Sequence, residues 1–347
     1  MLWEDVSVLD PSTQRPAVGI RDVAALARVS PTTVSNVLSG NRRVSAATRE
    51  RVHWAIDQLG YRPNLSARNL RVRRAGLIAV AVPEIGVPYF AELIGHVVQA
   101  ARERDYTVLI DQTEGRLEAE RFVLSGMNPG MVDGILFSPL GIERVEYENR
   151  RDSTPLVLLG ERISGGGVDH VAIDNVAAAA DATRYLIERG GRRIAAIGHQ
   201  EREGGGTAPQ RTRGYRQALD AAGMSYDPGL VVPTSKYHRR DGALAMAALL
   251  DRGTRPDAVF CYSDLVALGA IHTLRERGLR VPEDVAVIGI DDIDEGRYST
   301  PTLTTITPDK VAIARTALEL LFDRIADGSR EPRQIVVPHS LTVRRSA

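Results

Sequence analysis

From residue 75 onward the chain alternates short apolar runs, many of them β-branched, with longer helical stretches, and that alternation leaves few folds open. The runs are Leu77–Val82, Thr107–Ile110, Gly134–Phe137, Leu156–Leu159, Ile194–Ile197, Ala258–Tyr262 and Val285–Ile290. Between them lie Phe90–Arg104, Val176–Arg189, Gly214–Ala222, Gly242–Asp251 and Leu265–Arg277, which have helical character. This is the βαβ pattern of a parallel sheet with helices on both faces. Two such halves are expected, about 75–173 and 174–302, with a helix at about 308–327 and a last strand at Gln334–Val337.

Residues 19–74 carry a different pattern. Ile20, Val23, Ala24 and Ala27 fall on one face of a helix, and the turn Arg28-Val29-Ser30 follows. Ser30 offers an N-cap hydroxyl, and Pro31 stands at the first helical position, where its missing N–H has no intrahelical partner to lose. This second helix buries Val34, Val37 and Leu38, leaves Thr32, Thr33, Ser35 and Asn36 as a small polar surface, and ends at Gly40. A third helix, capped by Ser45 and closed at Gly60, buries Val52, Ala55, Ile56 and Leu59, enough for a small three-helix core. Two short helices joined by a tight turn make a helix-turn-helix, whose second helix puts its N-terminal residues against base edges in the major groove. An ordinary αα-hairpin looks the same from the two helices alone.

Charge separates the two. Residues 19–74 hold eleven arginines against Asp22, Glu50 and Asp57, an excess of eight positive charges, while the whole chain sums to zero. A basic head on an acidic body is the footprint of a domain that meets phosphate.

The stretches IRDVAALARVSPTTVSNVLSG, VSAATRERVHWAIDQLGYRPN and SARNLR resemble the DNA-binding head and hinge of the lactose-repressor/galactose-repressor family of bacterial transcription regulators. The similarity continues through PYFAELIGHVVQAARERDYTVLI, VDGILFSP, VAIDN, RTRGYRQAL, RGLRVPEDVAVIGIDDID, TPTLTTI and VVPHSLTVRRS, leaving out only about the first 17 residues. Arg28 stands where the family usually has Gly or Asn, Gly19 replaces a Thr cap, and Val87 sits where Asn is common. The resemblance implies a small all-α helix-turn-helix head on an α/β bilobed body of two doubly wound parallel-sheet subdomains, like periplasmic sugar-binding proteins, with three chain crossings between the lobes. The expected domains are a disordered leader at 1–17, the helix-turn-helix at 18–63, a hinge helix and linker at 64–74, and an effector-binding and dimerisation body at 75–347. Its first lobe is expected to comprise about 75–173 plus 303–333, and its second about 174–302 plus 334–345. The hinge helix, residues 65–71, is two turns long and too short to persist alone, so it is expected to order only on a partner.

Ligands of open α/β sheets bind beyond the carboxyl ends of the strands, here Pro83, Asp111, Ser138, Glu161, His199, Ser263 and Asp291. A carboxylate at Asp291 can accept two hydroxyl hydrogen bonds, and Arg211 offers a planar fork of donors. In the family, the residues matching Arg211 and Asp291 contact effector, Ser263 matches a polar contact and Tyr237 an aromatic wall. Phe90 is a further candidate for the wall, although it reads more readily as core than as a ligand contact. Asp264 is expected to cap the helix that follows it.

On the DNA side, the family's specificity positions match Pro31, Thr32 and Asn36, with Thr33 beside them. Asn suits bidentate readout of adenine, and the Thr methyl suits thymine. Arg62 and the arginines at 42–43 are expected on phosphates. Leu70 matches the leucine that the family wedges into the minor groove at the operator centre, unstacking a base step.

Other chemistries fit poorly. Ser263 lacks a G-x-S-x-G elbow, the loop Glu203–Thr207 lacks the Lys-Ser/Thr of a P-loop, and Gly76 stands alone where a dinucleotide fingerprint needs three glycines, so no enzyme and no cofactor is expected. Cys261 is the only cysteine, which leaves no disulfide framework and no thiolate metal site. A solute-binding protein for transport would need a signal peptide and no basic head. No apolar run approaches the ~18–20 residues that span a bilayer, so a cytoplasmic location is expected. The resulting expectation is a ligand-gated DNA switch with repression as its output. A homodimer without a tetramerising tail would bind a palindromic operator under control of a small, sugar-like effector.

Overall fold

The computed structural model describes residues 18–38, 44–61, 75–127, 130–160, 167–200 and 206–347. The chain divides into two compact units between Arg73 and Arg74.

The first unit contains α1 (Ile20–Ala27), α2 (Pro31–Leu38) and α3 (Ala46–Leu59). Gly19 starts α1 without a side chain to cap it; instead the Asp22 carboxylate accepts the Gly19 N–H at 2.8 Å, at the positive end of the helix dipole. Arg28 ends the helix in the left-handed region (φ 54°, ψ 50°), a conformation costing a side-chain-bearing residue roughly 1–2 kcal/mol. The Ser30 hydroxyl accepts the Thr33 N–H at 3.1 Å and starts α2. Ser45 does the same for α3 through Thr48, and Gly60 closes it at φ 61°. Val23, Ala24, Ala27, Val34, Val37, Val52 and Ala55 are buried together, with Ile20, Leu38, Ile56 and Leu59 packed half-buried around them. Gly40, Arg42, Arg43, Arg62, Leu70 and the whole of 1–17 and 64–74 lie outside the described residues.

The body is built on two six-stranded sheets. The first contains β1 (Leu77–Val82), β2 (Thr107–Gln112), β3 (Gly134–Phe137), β4 (Leu156–Leu159), β5 (Asp169–Ile173) and β11 (Gln334–Val337), in the all-parallel order β11-β5-β4-β3-β1-β2. The second contains β6 (Ile194–His199), β7 (Val231–Pro233), β8 (Ala258–Cys261), β9 (Ala286–Ile290), β10 (Thr304–Pro308) and β12 (His339–Thr342), in the order β12-β10-β9-β8-β6-β7, with only β12 antiparallel to its neighbour. The first lobe carries α4 (Pro88–Arg102), α5 (Leu117–Leu124), α6 (Arg144–Glu148) and α12 (Lys310–Ala326), the last packed on α4 and on the sheet. The second carries α7 (Asn175–Glu188), α8 (Thr207–Ala221), α9 (Arg239–Asp251), α10 (Asp264–Glu276) and α11 (Asp294–Tyr298). In it α7 packs on α8 and α9 on α10.

The chain crosses between lobes three times, after Ile173, after Pro308 and after Val337. The lobe boundaries expected from sequence need correcting. Residues 303–308 go with the second lobe, because β10 pairs with β9, Thr304 opposite Ile288. Gln334–Val337 goes with the first, because β11 pairs with β5, Gln334 opposite His170. Apolar pattern reveals a strand but not which of two sheets receives it.

Helix α8 begins at Thr207, two turns before the expected Gly214, and this puts Arg211 on a helix. Gly214 then lets α8 approach α7 closely, since a Cβ there would lie 2.1 Å from the Val176 carbonyl oxygen.

Candidate functional sites

In the head, Pro31 and Thr32 are exposed at the N-terminus of α2. Asn36 is half-buried four residues after Thr32, and residues at that spacing share a helix face. Val34 and Val37 point the other way, into the core. Thr33 differs from its neighbours: its N–H and its hydroxyl, the latter at 2.9 Å, both bond Ser30. Its polar groups are engaged in the cap.

The body has a cavity of about 270 Å³ between the lobes, lined at once by Phe90, Arg211, Tyr237, Ser263 and Asp291. These five come from α4, α8, the segment after β7, the start of α10 and the end of β9. Of the strand ends, Pro83, Ser138, Ser263 and Asp291 line it, whereas Asp111 and His199 do not, and Glu161 lies outside the described residues. His199 bonds the Thr212 hydroxyl at 3.1 Å instead.

Arg211 is 6% exposed. Its Nε donates to Asn175 Oδ1 at 2.6 Å, and a terminal nitrogen donates to the Tyr262 carbonyl. One anchor, Asn175, stands at the start of α7, which Gly214 lets α8 approach closely, and the other follows β8. Ser263, not Asp264, caps α10, accepting the Val266 N–H at 3.3 Å. Asp264 is fully buried, where it accepts the Thr305 hydroxyl at 2.6 Å and the Ile293 N–H at 3.0 Å. Burial, helped by the nearby Asp291 charge, pushes its carboxyl well above the usual range. The expected capping role for Asp264 therefore passes to Ser263, and Asp264 holds the Asp291-bearing turn from behind.

That turn is unusual in its backbone. Asp291 and Asp292 have φ 128° and 48°, and such residues persist only where the surroundings hold them. Asp292 is gripped by Arg344 at 2.5 Å and Arg297 at 3.0 Å. Burial raises its pKa, but the two guanidiniums more than offset this and hold it below the ordinary carboxylate value. Phe90 packs edge-on against Tyr89, ring centroids 5.3 Å apart, so it serves both core and cavity wall. Cys261 is buried in the sheet, and burial drives its thiol pKa upward, the opposite of an activated nucleophile.

Residues 19–64 match the family model for bacterial regulatory proteins of the lacI family, and residues 183–347 match that for a periplasmic binding protein-like domain. The regulator CelR of Thermobifida fusca is 40% identical over 342 residues, covering 93% of this chain and 96% of CelR. The chain belongs to the lacI family. The repressor CytR of Escherichia coli K12 is 36% identical, covering 91% of this chain and 94% of its own. A solved CelR–cellobiose complex superposes with a TM-score of 0.71 at 36% identity over 96% of this chain and all of that one. The lac repressor dimer bound to operator and an anti-inducer gives 0.84 at 23% identity over 95% of this chain and 99% of that one, a likeness of fold.

As a lacI-family member the protein is a DNA-binding transcription regulator, and the relatives it matches are regulators, not enzymes. Among the described residues no helix is long and apolar enough to cross a membrane. Sequence reasoning missed Glu84, Tyr89, Lys236 and His238 on the cavity wall. All four are direct neighbours of residues it did single out, Pro83, Phe90 or Tyr237, and that adjacency was the available signal.

Proposed function

We propose that this lacI-family regulator binds a palindromic operator as a homodimer in the cytoplasm, and that a small polyol or sugar held between the lobes controls its operator affinity. One observation carries the reading: five side chains separated by up to 201 positions, Phe90 to Asp291, converge on one cavity between the carboxyl ends of two parallel sheets. Aromatic walls with a few placed polar groups are what a ring bearing hydroxyls requires. Asp291 accepts hydroxyls, Arg211 donates, Ser263 adds a weaker polar contact, and Tyr237 and Phe90 cover the ring faces. That a relative is solved with cellobiose supports the sugar class.

In the head, Pro31, Thr32 and Asn36 face the major groove. Thr33 sets the start of α2 through Ser30 rather than reading a base. Arg62 contacts phosphate and Leu70 wedges the central step, both lying outside the described residues. A two-fold dimer matches two-fold DNA, as in the solved lac repressor dimer on operator.

A thermal-shift screen against sugars and nucleosides tests the effector half, since a ligand at about 100 times its Kd stabilises the folded state by about 2.7 kcal/mol. The expected hit raises the melting temperature and changes operator retention in a gel shift. A hit that shifts Asp291→Ala and Arg211→Ala proteins as fully as the parent would place the site elsewhere.

A further inference from the structure

Of the 44 lysines and arginines only Lys236 and Lys310 are lysine, and both sit where the two lobes meet. Lys236 follows β7 in the second lobe, and its Nζ lies 2.9 Å from Glu84 Oε1, just after β1 in the first. The other Glu84 oxygen is 2.7 Å from His238 Nε2. One carboxylate of the first lobe is thus held by two side chains of the second, and all three residues line the cavity. Burial raises the Glu84 carboxyl, but Lys236 and His238 outweigh it and hold the group below its ordinary value.

Lys310 is placed differently. Its Nζ donates to the carbonyls of Asp291 at 2.7 Å and Asp292 at 3.0 Å in the second lobe, and to Glu92 Oε2 at 2.5 Å on α4 of the first. Three acceptors around one nitrogen suit a pyramidal ammonium and not the planar fork of a guanidinium. The second Glu92 oxygen accepts the Asp294 N–H at 3.1 Å, again from the opposite lobe.

We propose that Glu84 with Lys236 and His238 forms a latch across the mouth of the cleft, and that Lys310 with Glu92 forms the pin about which the lobes part when the latch opens. The two contacts differ in how cheaply they break. The Lys236 side chain is 57% exposed, so water and salt compete for both partners. The Lys310 side chain is 9% exposed, and parting it from the Asp291 and Asp292 carbonyls of the second lobe would take two acceptors from a buried charge. Opening therefore proceeds at the rim while the base holds.

Double electron–electron resonance on the full chain tests this, with labelled protein diluted into unlabelled so that only distances within one chain are read. Cys261 is fully buried and stays unlabelled. A rim pair, Glu118→Cys with Arg240→Cys, and a base pair, Ala91→Cys with Tyr298→Cys, use exposed positions in the two lobes. Glu84→Gln and Lys236→Met are expected to lengthen the rim distance by several ångströms and leave the base distance unchanged. Raising salt should do the same to the parent and add little to either variant. Rim distributions that superimpose on the parent's at every salt, or rim and base distances that lengthen together, overturn the proposal. Neither ligand nor operator enters the measurement, so its failure leaves the effector reading standing.

Discussion

The head and the body place their functional groups on opposite principles. Among the described residues the head's buried core is seven small side chains, all Val or Ala, and its candidate DNA contacts stand on the outer face of a single eight-residue helix. The body gathers its site from both sheets and buries much of it, with Arg211, Ser263 and Asp264 each under 7% exposed. A site on one helix face can change without disturbing the fold beneath it. A site assembled across a cleft cannot, because its side chains are held by the same bonds that hold the lobes.

Removing residues 1–74 is the largest way to test that separation. Operator binding should vanish, while the remaining body still unfolds cooperatively and answers the same ligand. The intact protein should show log K falling with log salt at a slope of about −0.9 per phosphate contacted, measured by fluorescence anisotropy. A truncated protein that still selects operator would falsify the division of labour.

Within the body, Asp291→Ala and Arg211→Ala should each weaken effector binding by roughly 1.5–3 kcal/mol, the worth of a charge-assisted hydrogen bond, or about 10- to 150-fold. Operator binding without effector should be unchanged in Asp291→Ala. Arg211→Ala should also lower thermal stability, because Asn175 and the Tyr262 carbonyl lose their donor. Calorimetric titration beside a melting curve separates the two effects.

Gly214→Ala probes the packing beneath the site. The added methyl would meet the Val176 carbonyl at 2.1 Å, an overlap expected to cost about 1–3 kcal/mol and to drag α8 and Arg211 off station. Effector affinity should fall along with the body's melting temperature, at unchanged salt slope on DNA. A variant with lowered stability but parental effector affinity would mean that Arg211 is positioned by its own bonds and not by helix packing.

Acid separates the two units next. Asp292 is buried and paired with the half-buried Arg344 and the exposed Arg297, its pKa held below the unfolded value, so its contribution is present above the ordinary carboxylate range and is lost as pH falls through its lowered folded value. The head's described carboxylates, Asp22, Glu50 and Asp57, are all exposed. Below the ordinary carboxylate range the body should therefore lose stability first, and Asp292→Asn should flatten that acid limb. Above that range the raised Asp264 carboxyl works the other way, because the proton it keeps in the folded state favours folding as pH falls. Parallel acid limbs in the parent and in Asp292→Asn would remove Asp292 from the account.

The same contrast decides what could be read from sequence. Head helices follow from i, i+3, i+4 spacing and their caps, and the expected buried positions Val23, Ala24, Ala27, Val34, Val37, Val52 and Ala55 are those found. In the body β1, β3, β4 and β11 stand at the expected residues, because each is a plain apolar run. Strand β5 was missed because it opens with Asp169 and His170, which look like loop. Both are buried, and Asp169 is satisfied by Arg324 at 2.8 Å, 155 residues away. Strand β10 hides in the same way behind Thr304 and Thr305, whose hydroxyls bond the Arg344 backbone N–H and Asp264. Polar strands are legible only once their distant partners are known, and the latch residues Glu84, Lys236 and His238 are a further case of pairing across the fold.

Arg28 offers the finest test, since it concerns one backbone angle in the head. An L-residue at φ 54° carries roughly 1–2 kcal/mol of strain, which glycine escapes. Glycine's greater freedom in the unfolded chain returns about 0.5–1 kcal/mol of that, so Arg28→Gly should stabilise the head by at most about 1.5 kcal/mol. Asn tolerates the left-handed region better than Arg, and a β-branched residue tolerates it worse, which gives the order Gly, Asn, Arg, Val from most to least stable. Trp54 stands on α3 and the chain has no tryptophan beyond residue 54, so tryptophan fluorescence during urea unfolding can follow this unit. The variants should leave the body's transition in place, because the backbone bonds of the Arg28 turn among the described residues run to Ala24 and Ala25 of α1. Three variants sharing the parent's midpoint would mean that the turn relaxes out of the left-handed region in solution, and the close of α1 would then rest on the Arg28 and Val29 N–H bonds to Ala25 and Ala24 being remade in another geometry.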